Sequence, residues 1–345
     1  AIVLTSLGLA DSTHHMLLSQ FEKILLSDYD IALRDEIDNG ALYEIKQLPG
    51  VYYAEPQLKV ACTFYKNHHY KKAVINGILS NASLTMPRNE RGDAVKVSPS
   101  GLLMSKRLAE TLKVKIGDTV SFIPIKGERV KHDAKIVDII KATFGLPVYA
   151  DYNYLNKLVN ESNAISLVQV KANQNSTEKK EFLKCIKQYP KLSSLNIIAQ
   201  QKKEIERDFV AKLSSMAYIL IFFAAVIFFG SILYSTLISI AQMRREISTF
   251  RALGYNSMDI GIIFLREIVS LNMLGTVLGF PLGYLMLYNI TLQFQNDSYS
   301  MPCFVKTTSW FLTIILAFVF IILAYTIIQY VINKMDWHVA LKIKE

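Results

Sequence analysis

The chain has 345 residues, 51% of them hydrophobic, a mean hydropathy of +0.25 and a formal net charge of +9. That is too apolar for an ordinary soluble protein and too polar for a chain made only of membrane spans, and its length allows two or three domains. A basic chain first suggests nucleic acid, but the lysines are spread thinly and no RNA- or DNA-binding motif accompanies them, so no nucleic-acid partner is expected.

In chain order, AIVLTSLGLA opens the sequence as an apolar run of ten residues. As a helix it would reach only about 15 Å, half a bilayer core, and it has no basic flank of a secretory leader. It is expected to be the tail of a transmembrane helix that begins upstream (1–11), with a short buried helix as the alternative. Residues 12–212 mix polar and apolar positions, punctuated by Pro, Gly, Asn and Lys. SQFEKILLSD reads as a helix and YDIALR as a strand. ALYEIKQLPGVYYAEPQLKVACTFYK reads as a helix, a turn and strands. GLLMSKRLAETLKVKIGDTVSFIPI reads as a helix, a tight Gly117–Asp118 turn and a strand. AKIVDIIKATF and AISLVQVKA are further strands, and STEKKEFLKCIKQY is an amphipathic helix with Phe182, Cys185 and Ile186 on one face. About 200 residues can bury a core, so 12–212 is expected to be one α+β domain.

Three uncharged stretches follow, 213–243, 268–296 and 307–333. Each exceeds the roughly 20 residues that cross a bilayer, which predicts spans at about 213–243, 262–292 and 307–333 within a C-terminal domain, 213–345. Arg244, Arg245 and Arg251 follow the first of these, and Lys334, Lys342 and Lys344 follow the last. The positive-inside rule then places both ends in the cytoplasm and residues 12–212 outside. The fold class expected is a multi-pass α-helical membrane protein with an inserted extracytoplasmic α+β domain.

The segment AQMRREISTFRALGYNSMDIG (241–261) has helical spacing, with Ile247, Phe250 and Leu253–Gly254 as an apolar stripe, Gly254 as a C-cap and Asn256-Ser257 as a restart. A short cytoplasmic helix at about 244–259, braced between two spans, suits docking on a cytosolic partner. An interfacial helix with snorkelling arginines is the other reading. Gly275, Gly279 and Gly283 lie on one helix face and allow close helix approach, with Pro281 able to kink the helix. Arg266 and Glu267 are expected at the cytoplasmic entrance to that span, as a structural pair. Cys62, Cys185 and Cys303 show no metal-ligand spacing, a Cys62–Cys185 disulfide is an open alternative, and His14–His15 and His68–His69 read as exposed polar pairs. No HExxH, GxSxG, paired-carboxylate site or GxxxxGK[ST] phosphate loop occurs, so neither an enzyme nor a bound cofactor is expected.

RREISTFRALGY resembles the signature that follows the second span of FtsX-like permeases of the type VII ABC-transporter fold. GLLMSKRLAETLKVKIGDTV resembles a segment of the MacB-like periplasmic core, and AIVLTSLGLADSTHHML is similar to the exit of the first span in that family. The glycine-bearing third span and the basic tail DWHVALK fit the same pattern, so the resemblance covers nearly the whole chain, and its opening resembles the second half of permeases with two such units. The resemblance implies an inserted MacB-like periplasmic core and a cytosolic ABC ATPase, supplied by another subunit or by sequence outside this chain. It implies that Arg244, Arg245, Glu246, Phe250, Arg251, Leu253 and Gly254 couple to that ATPase. It also implies a second permease unit or a homodimer, membrane lipid and an extracytoplasmic adaptor as partners. The function implied is export or extraction of a substrate at the outer membrane face, with a mechanotransmitting scaffold as the alternative.

Overall fold

The computed structural model describes residues 1–37, 40–126, 128–173 and 175–334. The elements run α1 (Ile2–Leu18), β1 (Tyr29–Ile37), α2 (Gly40–Lys46), β2 (Val51–Lys66), β3 (His69–Ile78), β4 (Leu102–Ser105), α3 (Lys106–Leu112), β5 (Thr119–Pro124), β6 (His132–Ile140) and β7 (Pro147–Asp151). They continue with α4 (Tyr152–Leu158), β8 (Ile165–Ala172), α5 (Ser176–Lys187), β9 (Leu192–Ile197), α6 (Ile198–Ile205), α7 (Ala211–Gln242), α8 (Arg244–Ala252), α9 (Ser257–Gln293) and α10 (Thr307–Lys334). Two compact units result. One is α+β and takes in His15–Phe209 with Phe294–Pro302. The other is helical and takes in Ala1–His14, Val210–Gln293 and Cys303–Glu345.

In the α+β unit the sixteen-residue strand β2 belongs to two sheets. Its first half pairs antiparallel with β8, and β1 lies between β8 and β9. Its second half pairs with both β3 and β5, and the ring β2–β3–β7–β4–β6–β5 closes on itself. Closure removes the free edges that an open sheet would expose. Alternation of side chains supplies the core: Leu58, Val60, Cys62 and Phe64 of β2 point inward with Val120 and Phe122 of β5. The Phe64 and Phe122 rings lie 5.7 Å apart.

β4 corrects one expectation from sequence, because LLMS is a strand and only Lys106–Leu112 is helical. All four β4 residues are buried, and they pair with β6 and β7 on either side. A four-residue apolar run has no readable period, so sheet pairing decides it. Gly101, just before β4, has φ +94°, and a Cβ there would come within 2.7 Å of the Lys135 carbonyl, so only glycine fits. Gly117 turns with φ +95°, and the Asp118 carboxylate accepts the Lys115 N–H at 2.8 Å. On α5, Phe182 and Ile186 are buried and Cys185 is half-buried.

The buried carboxylate of Glu55 is fully engaged. The Glu55 carboxylate accepts the Ser83 N–H (2.7 Å) and hydroxyl (3.0 Å), the Leu84 N–H (3.1 Å) and the Tyr53 hydroxyl (2.9 Å). It therefore pins the segment after β3 across β2. Phe294–Pro302, the connection between α9 and α10, also belongs to this unit. The Gly145 N–H donates to the Ser298 carbonyl and the Ser300 N–H to the Thr143 carbonyl, each at 2.9 Å. Arg107 donates to the Gln295 carbonyl and Lys71 pairs with Asp297.

Among the described residues, three helices are long and apolar enough to cross a membrane: Ile198–Gln242, Ser257–Gln293 and Thr307–Lys334. Their outward positions are Phe222, Ile227, Leu274, Leu278, Phe311 and Ile315, all more than half exposed. A surface of this kind is unstable in water and suited to lipid.

Candidate functional site

The helical unit is held by Ile232 and Ile240 of α7, Ile247 of α8, Ile260, Phe264 and Ile268 of α9, and Ile321, Ala324, Ile328 and Ile332 of α10. α8 is fixed to this cluster by one face only. Ile247 is 3% exposed and Ser248 is buried, whereas Glu246 is exposed and Leu253 is 71% exposed. The stripe expected from sequence therefore divides: Ile247 faces the helices, and Phe250 and Leu253 face away. The side chains of Arg244, Arg245 and Arg251 lie outside the described residues, although their backbone is helical.

α8 stops because Gly254 adopts φ +94°. The Tyr255 N–H reaches back to the Phe250 carbonyl at 3.1 Å, which is the six-to-one bond of a Schellman cap. The hydrophobic contact that accompanies such a cap is present too, with the Phe250 and Tyr255 rings edge to face at 5.6 Å. Phe250 thus already has an intramolecular partner. Leu253 and Met258, 71% and 70% exposed, are the apolar side chains that point out freely. α9 then begins with half of a capping box, the Asp259 carboxylate accepting the Asn256 N–H at 3.2 Å. The Ser257 hydroxyl bonds the Asn333 side chain, so the start of α9 and the end of α10 share one end of the unit. Gly261 permits this approach, because a Cβ there would overlap the Gln329 amide. Nearly two turns further along α9, the Ser239 hydroxyl meets the Glu267 carboxylate at 3.5 Å.

The glycine stripe of α9 is used unevenly. Gly283 is buried against α1, where a Cβ would lie 2.8 Å from the Ala1 carbonyl and 3.3 Å from the Leu4 Cβ. The Thr5 hydroxyl donates to the Gly283 carbonyl at 3.0 Å. Gly279 approaches Ala1, with 3.2 Å from its Cβ position to the nitrogen. Gly275 has no neighbour within 4 Å of that position, so within this chain it is not a packing residue. It borders a cavity of about 420 Å³ between α1, α7, α9 and α10. The walls are apolar apart from Ser231, Asn272, Thr276 and Thr313.

Sequence reasoning missed a clamp midway along α1. The Asp11 carboxylate accepts the Lys306 N–H at 2.9 Å and the Ser309 hydroxyl at 2.5 Å, so it caps the N-terminus of α10 from a different helix. Beside it, the Ser12 hydroxyl donates to the Phe304 carbonyl at 2.9 Å and accepts the Phe304 N–H at 3.0 Å. Asp-Ser at the end of an apolar run is the signal that could have pointed to such a role. The three cysteines are free. Among the described residues no group of His, Cys, Asp and Glu could hold a metal ion.

Residues 218–336 match the family model described as FtsX-like permease C-terminal. None of the curated proteins compared with the chain matches it. Among solved structures, the chain is similar to the extracellular domain of YknZ, a noncanonic ABC-type transporter from Gram-positive bacteria. Identity is 14%, coverage is 46% of this chain and 92% of that one, and the TM-score is 0.34. It is also similar to the periplasmic region of MacB from Actinobacillus actinomycetemcomitans, at 13% identity, covering 55% of this chain and 97% of that one, with a TM-score of 0.36. The family match thus runs from within α7 through α8 and α9 to the end of α10.

Proposed function

We propose that this chain is the permease subunit of an ABC transporter, in which α8 takes up the motion of a partner cytosolic ATPase and relays it to export or extraction of a substrate at the outer membrane face. The observation that carries this reading is the division of α8. One side, Ile247 and Ser248, is locked into the helix core, whereas Phe250 of α8, Leu253 in the turn that follows and Met258 at the start of α9 are exposed beside Tyr255. A helix that only floats at an interface has no need of a rigid inner attachment. A helix that is pushed does, because force passes only through an element gripped at both faces. The family match over 218–336 supports the permease role. The topology proposed puts α8 and the C-terminal end of α10 in the cytoplasm and residues 12–212 outside. Arg244, Arg245 and Arg251 would pair with acidic groups of the ATPase, and a second permease unit or a second copy of this chain would complete the transporter.

The cap makes Leu253 a cleaner test than Phe250. Truncating a central apolar anchor costs about 2 kcal/mol or more of binding, roughly thirtyfold in affinity. Leu253→Ala should release or uncouple the ATPase that co-purifies with the wild-type chain in nanodiscs. Tyr255→Ala loses the cap contact and keeps the Leu253 side chain, and so measures how much of a Phe250→Ala defect is structural. Full ATPase binding and turnover with Leu253→Ala/Phe250→Ala would leave α8 as an interfacial anchor and end this reading.

A further inference from the structure

The cations of the α+β unit include one cluster that no carboxylate balances. A cavity of about 180 Å³ is bordered by Lys23, Arg88, Arg91 and Lys141, with His15 in the last turn of α1 and Ser19 on the helical turn after it. Glu90 is the one acidic residue of its lining, and its carboxylate is engaged by Lys106 at 2.7 Å. Among the described residues none of the four cations has an ion-pair partner within 4 Å. The walls are tied together by backbone bonds. Arg88 donates from Nε to the Lys23 carbonyl at 3.2 Å and from Nη1 to the Gly92 carbonyl at 2.7 Å. The Lys141 N–H donates to the Arg88 carbonyl at 2.9 Å. Arg88 is thereby held half-buried, with its Nη2 face still to be used.

Four like charges around one confined space repel one another, and screening by salt weakens that repulsion without removing it inside a cavity. The arrangement becomes favourable when an anion enters. The space equals that of about six waters, which accommodates a tetrahedral oxyanion with part of its hydration shell. An oriented guanidinium with flexible ammonium groups around it is the donor set for phosphate, the fork giving direction and the lysines giving charge. We infer that this cavity is a binding site for a phosphate-type oxyanion, presented either as a free phosphate or as the phosphate of a lipid headgroup.

The test uses the full chain purified in a non-ionic detergent at low salt, titrated by calorimetry with inorganic phosphate and, separately, with a short-chain phosphatidic acid. The wild type should bind at least one probe saturably at one site per chain. Lys23→Gln/Arg91→Gln/Lys141→Gln should weaken that binding about tenfold or more. Arg88 is left in place because it ties the walls together, and Arg91→Gln alone is the fallback should the triple variant lose its circular dichroism signature. Lys180→Gln/Lys184→Gln on α5 removes equal kinds of charge elsewhere and should leave affinity unchanged. Comparable affinity for both probes assigns a soluble oxyanion, and about tenfold tighter phosphatidic acid binding assigns a lipid headgroup. No saturable binding of either probe, binding untouched by the cavity variants, or an equal loss in the α5 variant overturns the site.

Discussion

Asp11→Ala should unfasten the first turn of α10. The carboxylate takes two hydrogen bonds there, from the Lys306 N–H and the Ser309 hydroxyl, and its charge sits at the positive end of a 28-residue helix. Hydrogen bonds to a charged group contribute about 1.5–3 kcal/mol, and a charge at a helix end adds about 0.3–1 kcal/mol. Removing the carboxylate affects its two donors differently. Lys306 is exposed and its N–H regains water, whereas Ser309 is 6% exposed and its hydroxyl does not. The net penalty is then about 2 kcal/mol, carried mainly by Ser309, which corresponds to roughly thirtyfold more frequent opening. Hydrogen exchange on the full chain in nanodiscs reads this directly. Amides of residues 306–312 should exchange about thirtyfold faster, while those of α7 near Ile232–Ile240 keep wild-type rates. Asp11→Asn keeps an acceptor without the charge and should fall between. Exchange within threefold of wild type at 306–312, in a folded Asp11→Ala protein, would refute the clamp.

Gly283→Leu should disrupt α1–α9 packing at a cost of about 1–3 kcal/mol, seen as a lowered thermal midpoint, whereas Gly275→Ala enters open space and should leave the midpoint unchanged. Glu55→Ala strands the Ser83 and Leu84 amides beside a cavity and should destabilise the α+β unit by about 2–4 kcal/mol in a denaturant titration, with α10 exchange unaffected. Burial pushes the Cys62 thiol up to about 12, so it should resist maleimide at pH 8 in the native chain while half-buried Cys185 and Cys303 react. Burial also lifts Tyr149 to about 12, and burial with its bond to Glu44 does the same for Tyr189. Their folded pKa values exceed the unfolded one near 10, so their contribution is complete below pH 10 and lost as pH rises through 12. A melting series should therefore fall across that window, and Tyr149→Phe should flatten it.

The parts of this structure legible in sequence are those set by local composition. Runs such as YILIFFAAVIFF have one physical solution, and the helical period of STEKKEFLKCIK marks Phe182 and Ile186 for burial before any tertiary contact is known. Gly254 is readable as a cap because a positive φ selects glycine. The hidden parts depend on partners distant in sequence. β4 is a strand because β6 and β7 flank it, and nothing in LLMS says so. The ring of six strands closes through β2–β3 and β2–β5 register, which alternation alone does not fix. Around α8, the spacing of Ile247, Phe250 and Leu253 suggests one face, but a spacing of three residues drifts around a 3.6-residue helix and cannot say which member the neighbouring helices will claim. Asp11 acts on residues almost 300 positions away, and Lys23 and Lys141 of the basic cavity are more than 100 apart.

The α+β unit is not finished when its last strand leaves the ribosome. Phe294–Pro302 supplies the acceptors for Gly145 and Arg107, a donor for Thr143 and the counter-charge for Lys71, yet it is made after both α7 and α9. At elongation rates of about 5–20 residues per second, the interval between Phe209 and Pro302 lasts on the order of 5–20 s. Through that interval the nascent unit carries open backbone groups on the β6–β7 connection and two uncommitted cations. A gene fragment ending near residue 209 would hold the unit in that state permanently, so soluble expression of the excised domain should improve when 294–302 is grafted back through a short linker.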